Sequence, residues 1–279
     1  MSRRLGLVLV VVAAAIAVPV AFAAYPSPYA LQGGQGVMSK DGSIRYVAVG
    51  AGDKTVVNAI RTSDGSTVQS QTVQGSFGVP MLTQKGPGGG LFRDGSAFVL
   101  QSTGYGSTTR FQLMSTSGLT SRDTITLPGT FAFDALSPDG SKLYLIQHTS
   151  SDDLEHYVVR AYDFAAHALV PGKIADKTQR GWVMQGFPAA RVSSADGRWV
   201  YTLYMNPGGY PFVHALDTVR GVAHCIGVPW RGDENVPWNM RLALRNDGRS
   251  LAVNRQTGEA FVAIDVSTWK ISYPNGSGG

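Results

Sequence analysis

An Asp-Gly pair recurs five times along this chain, at Asp41, Asp94, Asp139, Asp196 and Asp247, and each is followed within a few residues by a short apolar run. The aspartates lie 53, 45, 57 and 51 residues apart, and a self-similar period near 50 in a strand-rich sequence is the signature of a solenoid or propeller. In the third repeat, apolar segments at 131–137, 141–147, 157–163 and 169–175 read as four strands in up-and-down order, with Asp139-Gly140 as the tight turn between the first two. The fourth repeat copies this at 189–193, 198–204, 212–217 and 221–228. The fifth does so at 239–244, 250–254, 260–265 and 270–273. The first two repeats fit with more glycine and less regularity. A four-stranded sheet has two apolar faces and cannot bury both alone, so neighbouring sheets must stack radially. The expected fold is therefore all-β: a five-bladed β-propeller of four-stranded antiparallel blades over residues 25–274. Residues 29–35 either start the first blade or complete the last.

Two of these repeats carry a resemblance. The run Ser137-Pro-Asp-Gly-Ser-Lys-Leu-Tyr144, followed in the next blade by Val213-His-Ala-Leu-Asp217, resembles the TolB-like and YVTN-type (WD40-like) propeller repeats of bacterial envelope proteins. The resemblance spans residues 30 to 273. It implies a propeller in the cell envelope and implies no particular activity, because propellers host many unrelated functions. Such relatives usually have six or seven blades, whereas five turns are present here.

Residues 1–24 have the form of a signal peptide: Arg3 and Arg4, an apolar run from Leu5 to Val18, Pro19, and Ala21-Phe-Ala23 as a cleavage site. The chain is expected to be exported, extracellular or in the cell envelope. Left uncleaved, residues 5–24 are long enough to act as a membrane anchor. The last five residues, 275–279, read as a flexible tail. Cys225 is the only cysteine, so no intrachain disulfide can form, and the simplest reading of its thiol is a small apolar core group. Without Arg3 and Arg4 the mature chain has 22 basic against 19 acidic residues, scattered without a run or stripe. That pattern lacks the footprint of a nucleic-acid binder.

In an up-and-down propeller, the crossovers from each outermost strand to the next innermost strand share a face with the second-to-third-strand turns. The Asp-Gly turns lie on the opposite face. Residues 75–90, 176–187 and 229–239 read as long crossovers on the first face, and they are rich in aromatic residues. Trp182, Phe187, Trp230, Arg231, Asp233 and Trp238, with Tyr105, Tyr204 and Tyr210 on neighbouring turns, form the candidate ligand-binding surface. Trp and Arg on loops of a rigid scaffold supply contact area and directional donors. The segment 148–156 offers His148, Asp152 and His156 as weak metal candidates, but no paired-histidine or calcium-loop motif accompanies them. No cofactor is expected. A glycosidase or lactonase reading needs two carboxylates at the channel mouth about 5–10 Å apart. Asp134 and Glu234 are the one conceivable pair. The favoured function is a noncatalytic binding or scaffold module for an envelope protein, peptide or glycan; the alternative is a hydrolase of a carbohydrate or lactone.

Overall fold

Strand-forming runs in this chain are short and β-branched or aromatic, and each is ended by a residue suited to a turn. In the computed structural model, residues 30–274 are described, apart from 84–85, 105, 177–182, 207–208, 231–238 and 246. The first blade consists of β2 (Val37–Met38), β3 (Ile44–Ala51), β4 (Lys54–Arg61) and β5 (Thr67–Gln74). In the second, β6 (Phe77–Pro80), β7 (Ala97–Ser102), β8 (Thr108–Ser115) and β9 (Ser121–Pro128) are joined at the inner edge by β1 (Ala30–Leu31). The third contains β10 (Phe131–Leu136), β11 (Lys142–His148), β12 (His156–Asp163) and β13 (Ala168–Leu169), and β14 (Met184–Gln185) also pairs with β12. β15 (Phe187–Ser193), β16 (Trp199–Met205), β17 (Phe212–Asp217) and β18 (Val222–Gly227) make the fourth. β19 (Arg241–Arg245), β20 (Ser250–Asn254), β21 (Ala260–Asp265) and β22 (Ile271–Ser272) make the fifth. Every named pair is antiparallel and, apart from β1–β6 and β12–β14, consecutive outward from the inner edge, so the chain is a five-bladed β-propeller.

All five Asp-Gly turns close with the same backbone hydrogen bond, although in the fifth Asp247 also has positive φ, at +56°. The glycine N–H of Gly42, Gly95, Gly140, Gly197 and Gly248 donates to the carbonyl three residues back at 2.8–3.1 Å. Each of these glycines has φ between +70° and +84°, a region that costs an L-residue and not glycine. In the first four turns the aspartate Oδ1 accepts the amide two residues on, as Asp139 does from Ser141 at 3.0 Å. The Ser137 hydroxyl and the Ser141 amide together hold the Asp139 carboxyl down at about 2. In the first four repeats the pair is thus a turn held by its own neighbours.

The crossovers differ from the expectation. Residues 75–90 are not a long loop: Phe77–Pro80 is a strand of the second blade with β1 on its inner side, and the crossover is only Gly75 and Ser76. A Thr hydroxyl fastens it. Thr55 Oγ1 donates to the Gly75 carbonyl at 2.8 Å and accepts the Phe77 amide at 2.8 Å, and Thr109 does the same for Gly129 and Phe131 at 2.9 Å each. The insertion instead falls at residues 81–96, between β6 and β7, on the Asp-Gly-turn face. Residues 29–35 also behave differently: β1 neither starts the first blade nor completes the last, but pairs with β6 of the second. Gly78 permits this, because a Cβ there would lie 2.6 Å from the Ala30 carbonyl carbon.

Separate apolar clusters fill the seams between consecutive blades, from first-to-second through fourth-to-fifth. Among the described residues, no such cluster joins the first blade to the fifth. At the first seam Phe98 is fully buried and stacks on Tyr46, ring centroids 4.7 Å apart. Truncating so large a buried side chain costs about 3–5 kcal/mol. Phe98→Ala should lower the urea midpoint accordingly, whereas Val68→Ala on the exposed outer strand should leave it unchanged.

Candidate functional site

The loop face is made by the turns β3–β4, β7–β8, β11–β12, β16–β17 and β20–β21 together with the crossovers. Of the residues expected there, Tyr105, Trp182, Arg231, Asp233, Glu234 and Trp238 lie outside the described residues. Trp230 is described, half-buried in the crossover to the fifth blade. Its ring meets Phe261 edge-on at 5.1 Å, and the Arg255 guanidinium sits over both rings at 5.5 and 5.0 Å. Arg255 belongs to the β20–β21 turn and was not singled out by sequence reasoning. A guanidinium over an aromatic face is attracted by the ring quadrupole. Tyr210, on the β16–β17 turn, is 56% exposed. Phe187 opens β15 and is half-buried.

Tyr204 is not on this surface. It is 1% exposed and stacks on Phe212 at 5.3 Å, with Tyr157 at 5.5 Å and His214 edge-on at 6.3 Å. These residues form a buried polar layer between the third and fourth blades. Cys225 joins it, its Sγ 3.5 Å from His214 Nδ1 and its backbone N–H donating to Asp176 Oδ2 at 2.8 Å. Burial, reinforced by the Asp176 charge, pushes the Cys225 thiol up to about 12. Burial holds His214 down at about 4 and raises Tyr157 and Tyr204 well above the usual phenol range. The group is therefore neutral near pH 7, without the thiolate that nucleophilic chemistry requires.

The three metal candidates are also separated by environment. His148 is buried edge-on to Tyr157 at 6.3 Å, and burial lowers it to about 4. His156 Nδ1 lies 2.8 Å from Asp153 Oδ2, a carboxylate that also accepts the His156 and Glu155 amides through Oδ1. Asp152 is exposed. Among the described residues, no three His, Cys, Asp or Glu side chains gather as a metal site.

Asp134, the inner-strand carboxylate, is 2% exposed and already has a partner. The β10–β11 register slips between Phe133 and Ala135, which leaves Asp134 as the extra residue of a bulge. Bulges re-aim side chains. Its Oδ1 lies 2.7 Å from Arg191 Nη1, and Arg191 Nη2 donates to the Asp134 carbonyl. Arg191 stands on β15, so this pair links the innermost strands of adjacent blades. Asp134 Oδ2 is buried without a hydrogen-bond partner among the described residues. A carboxylate engaged in this way is positioned to hold two blades together.

No protein-family model matches the sequence, and no curated protein matches it. Solved structures do. The β-propeller domain of Cps50 (Swd1) from Myceliophteria thermophila aligns with a TM-score of 0.51 at 12% identity, over 88% of this chain and 72% of that one. A functionally unknown protein from Desulfotomaculum acetoxidans gives 0.50 at 13% identity, over 85% and 67%. TolB from Acinetobacter baumannii gives 0.47 at 16% identity, over 79% of this chain and 51% of that chain, so this chain spans about half of TolB's length. The first two likenesses establish the β-propeller fold. They establish nothing finer, because fold does not imply function.

The buried histidines set a pH dependence whose sign follows from where they titrate. Both His148 and His214 titrate at about 4 when folded, below the ordinary value of 6.5. Between pH 6.5 and 4 the unfolded chain therefore binds more protons than the folded one, and stability falls as pH drops through that window. Chemical denaturation at successive pH values should reveal uptake of about two protons on unfolding near pH 5. His214→Gln should remove about half of that slope; an unchanged slope would mean that His214 does not control it.

Proposed function

We propose that this protein is an exported, noncatalytic binding or scaffold module that recognises an envelope protein, peptide or glycan through its loop face. The observation that carries the reading is the Trp230–Phe261–Arg255 cluster. It gathers a half-buried indole and a guanidinium at the loop face of the fifth blade, while Tyr210 is exposed on the same face of the fourth. Rigidly backed aromatic and arginine side chains are the residues that dominate recognition surfaces. Trp182, Arg231, Asp233, Trp238 and Tyr105 would extend this surface, and Phe187 would border it.

The noncatalytic part is supported by the state of the groups that could do chemistry. His148, His214 and Cys225 are buried and neutral near pH 7, and Asp134 is engaged by Arg191. Export is supported by the form of residues 1–24. No helix among the described residues is long and apolar enough to cross a membrane, so membrane attachment would rest on an uncleaved leader.

Residues 25–279, immobilised, should retain an envelope component from a cell-envelope extract. Tyr210→Ala and Arg255→Ala should each weaken that retention by about 1–2 kcal/mol, a five- to thirtyfold loss, with the thermal midpoint within about 2 °C of wild type. Lys142→Ala, at the Asp-Gly-turn end of β11, should retain the partner as wild type does. Equal retention by all three variants would refute the assignment of the face.

A further inference from the structure

On the face opposite the proposed recognition surface, a cavity of about 190 Å³ opens between the second, third and fourth blades. Three separate sequence features build it. The insertion 81–96 brings Leu82, Leu91 and Arg93; the Asp134 bulge and the residues after it bring Leu136; β15 and the turn beyond it bring Arg191 and Gly197. Val200 closes the wall. The lining is thus aliphatic on several sides, with two guanidinium groups and one carboxylate among its described residues.

The two guanidinium groups are held differently. Asp134 Oδ1 is engaged by Arg191 at 2.7 Å, which neutralises that guanidinium. Arg93 reaches across to the fourth blade, where its Nη1 donates to the Ala195 carbonyl at 2.9 Å. A carbonyl fixes the side chain without neutralising it. The neighbouring Asp196 carboxylate is held within its own turn by the Ser194 hydroxyl at 2.5 Å and the Arg198 amide at 3.0 Å; it feels the Arg93 charge without forming an ion pair with it. No carboxylate among the described residues lies within ion-pair distance of Arg93. The turn also leaves room for it: a Cβ on Gly197 would fall 3.0 Å from Arg93 Nη1. Arg93 is exposed at the rim, so its remaining N–H donors are open to a ligand.

We propose that this cavity binds a carboxylate carried on a compact apolar body, the carboxylate on Arg93 and the apolar part against Leu82, Leu91, Leu136 and Val200. Planar guanidinium donors match a carboxylate bidentately, which gives orientation as well as attraction. At about 30 Å³ per water, the volume suits a group of roughly six to ten non-hydrogen atoms. That is the size of a short branched carboxylic acid, or of the last residue of a peptide ending in an aliphatic side chain. The two sources share one chemistry.

Amide resonances of the full mature protein, titrated with 4-methylpentanoate and separately with 4-methylpentanamide, test it. The acid should shift residues 134–137 and 195–197 saturably and bind at least tenfold tighter than the amide. Arg93→Gln should weaken the acid at least tenfold with the thermal midpoint unchanged, while Lys54→Gln, on the first blade, should not. A tetrapeptide ending in leucine, with a free or an amidated C-terminus, then separates the sources: tighter binding than the acid, lost on amidation, points to a peptide terminus, and weaker binding points to a free acid. Equal affinity for acid and amide, no shift at these residues, or wild-type affinity in Arg93→Gln would overturn the proposal. Because the cavity and the loop face are opposite, this outcome is independent of the capture experiment.

Discussion

A blade of this protein is apolar on both faces, and neither face can be covered by the blade itself. Stability therefore resides in the seams, where side chains from adjacent sheets interdigitate. Tyr46 against Phe98 at the first seam and Tyr204 against Tyr157 at the third are the aromatic forms of that contact. The seams also set the connections. A short crossover must turn the chain from an outer edge back to the ring's interior, and the Thr55 and Thr109 hydroxyls satisfy the backbone groups that this turn would otherwise strand. The first and fifth blades lie at the ends of this stacking. The strand register puts Ala243, Ala252 and Ala263 together on one face of the fifth blade, small residues that offer far less apolar area than the aromatic seams.

Burial at the seams has an electrostatic consequence. Groups that could act as acids, bases or nucleophiles lose hydration when a seam closes, and each shifts toward its neutral form. Cys225, His214 and Tyr204 all move in that direction. Asp134 is used differently: its pair with Arg191 links two inner strands. The interior is in this way used for cohesion. Turns and insertions escape the seams at the two ends of the ring, where both proposed sites lie.

The two ends are built by different means. The Asp-Gly-turn face is made largely of self-satisfied turns, and its one departure is the insertion 81–96, which carries Arg93 toward the fourth blade. Among the described residues, crossover and turn bring side chains distant in sequence together at the loop face, as Trp230 and Arg255 show.

The period, the turns and the strand content were legible in the sequence because each depends on near neighbours. An Asp-Gly pair makes its turn with atoms two or three residues away, and an alternating run declares its own pleat. Several features were not legible for the complementary reason. Phe77-Gly-Val-Pro80 reads as loop by composition, yet it is a strand because β1 and β7 flank it. Tyr204 reads as a surface aromatic, yet strand register turns it into the third seam. Asp134 and Arg191 are 57 residues apart, and only a bulge on one strand and radial stacking of two blades bring them together. Local chemistry thus determined that this chain is a five-fold repeat of sheets. Which side chains face a seam, a cavity or solvent was decided by the tertiary structure, because register and blade stacking depend on atoms that sequence places far apart.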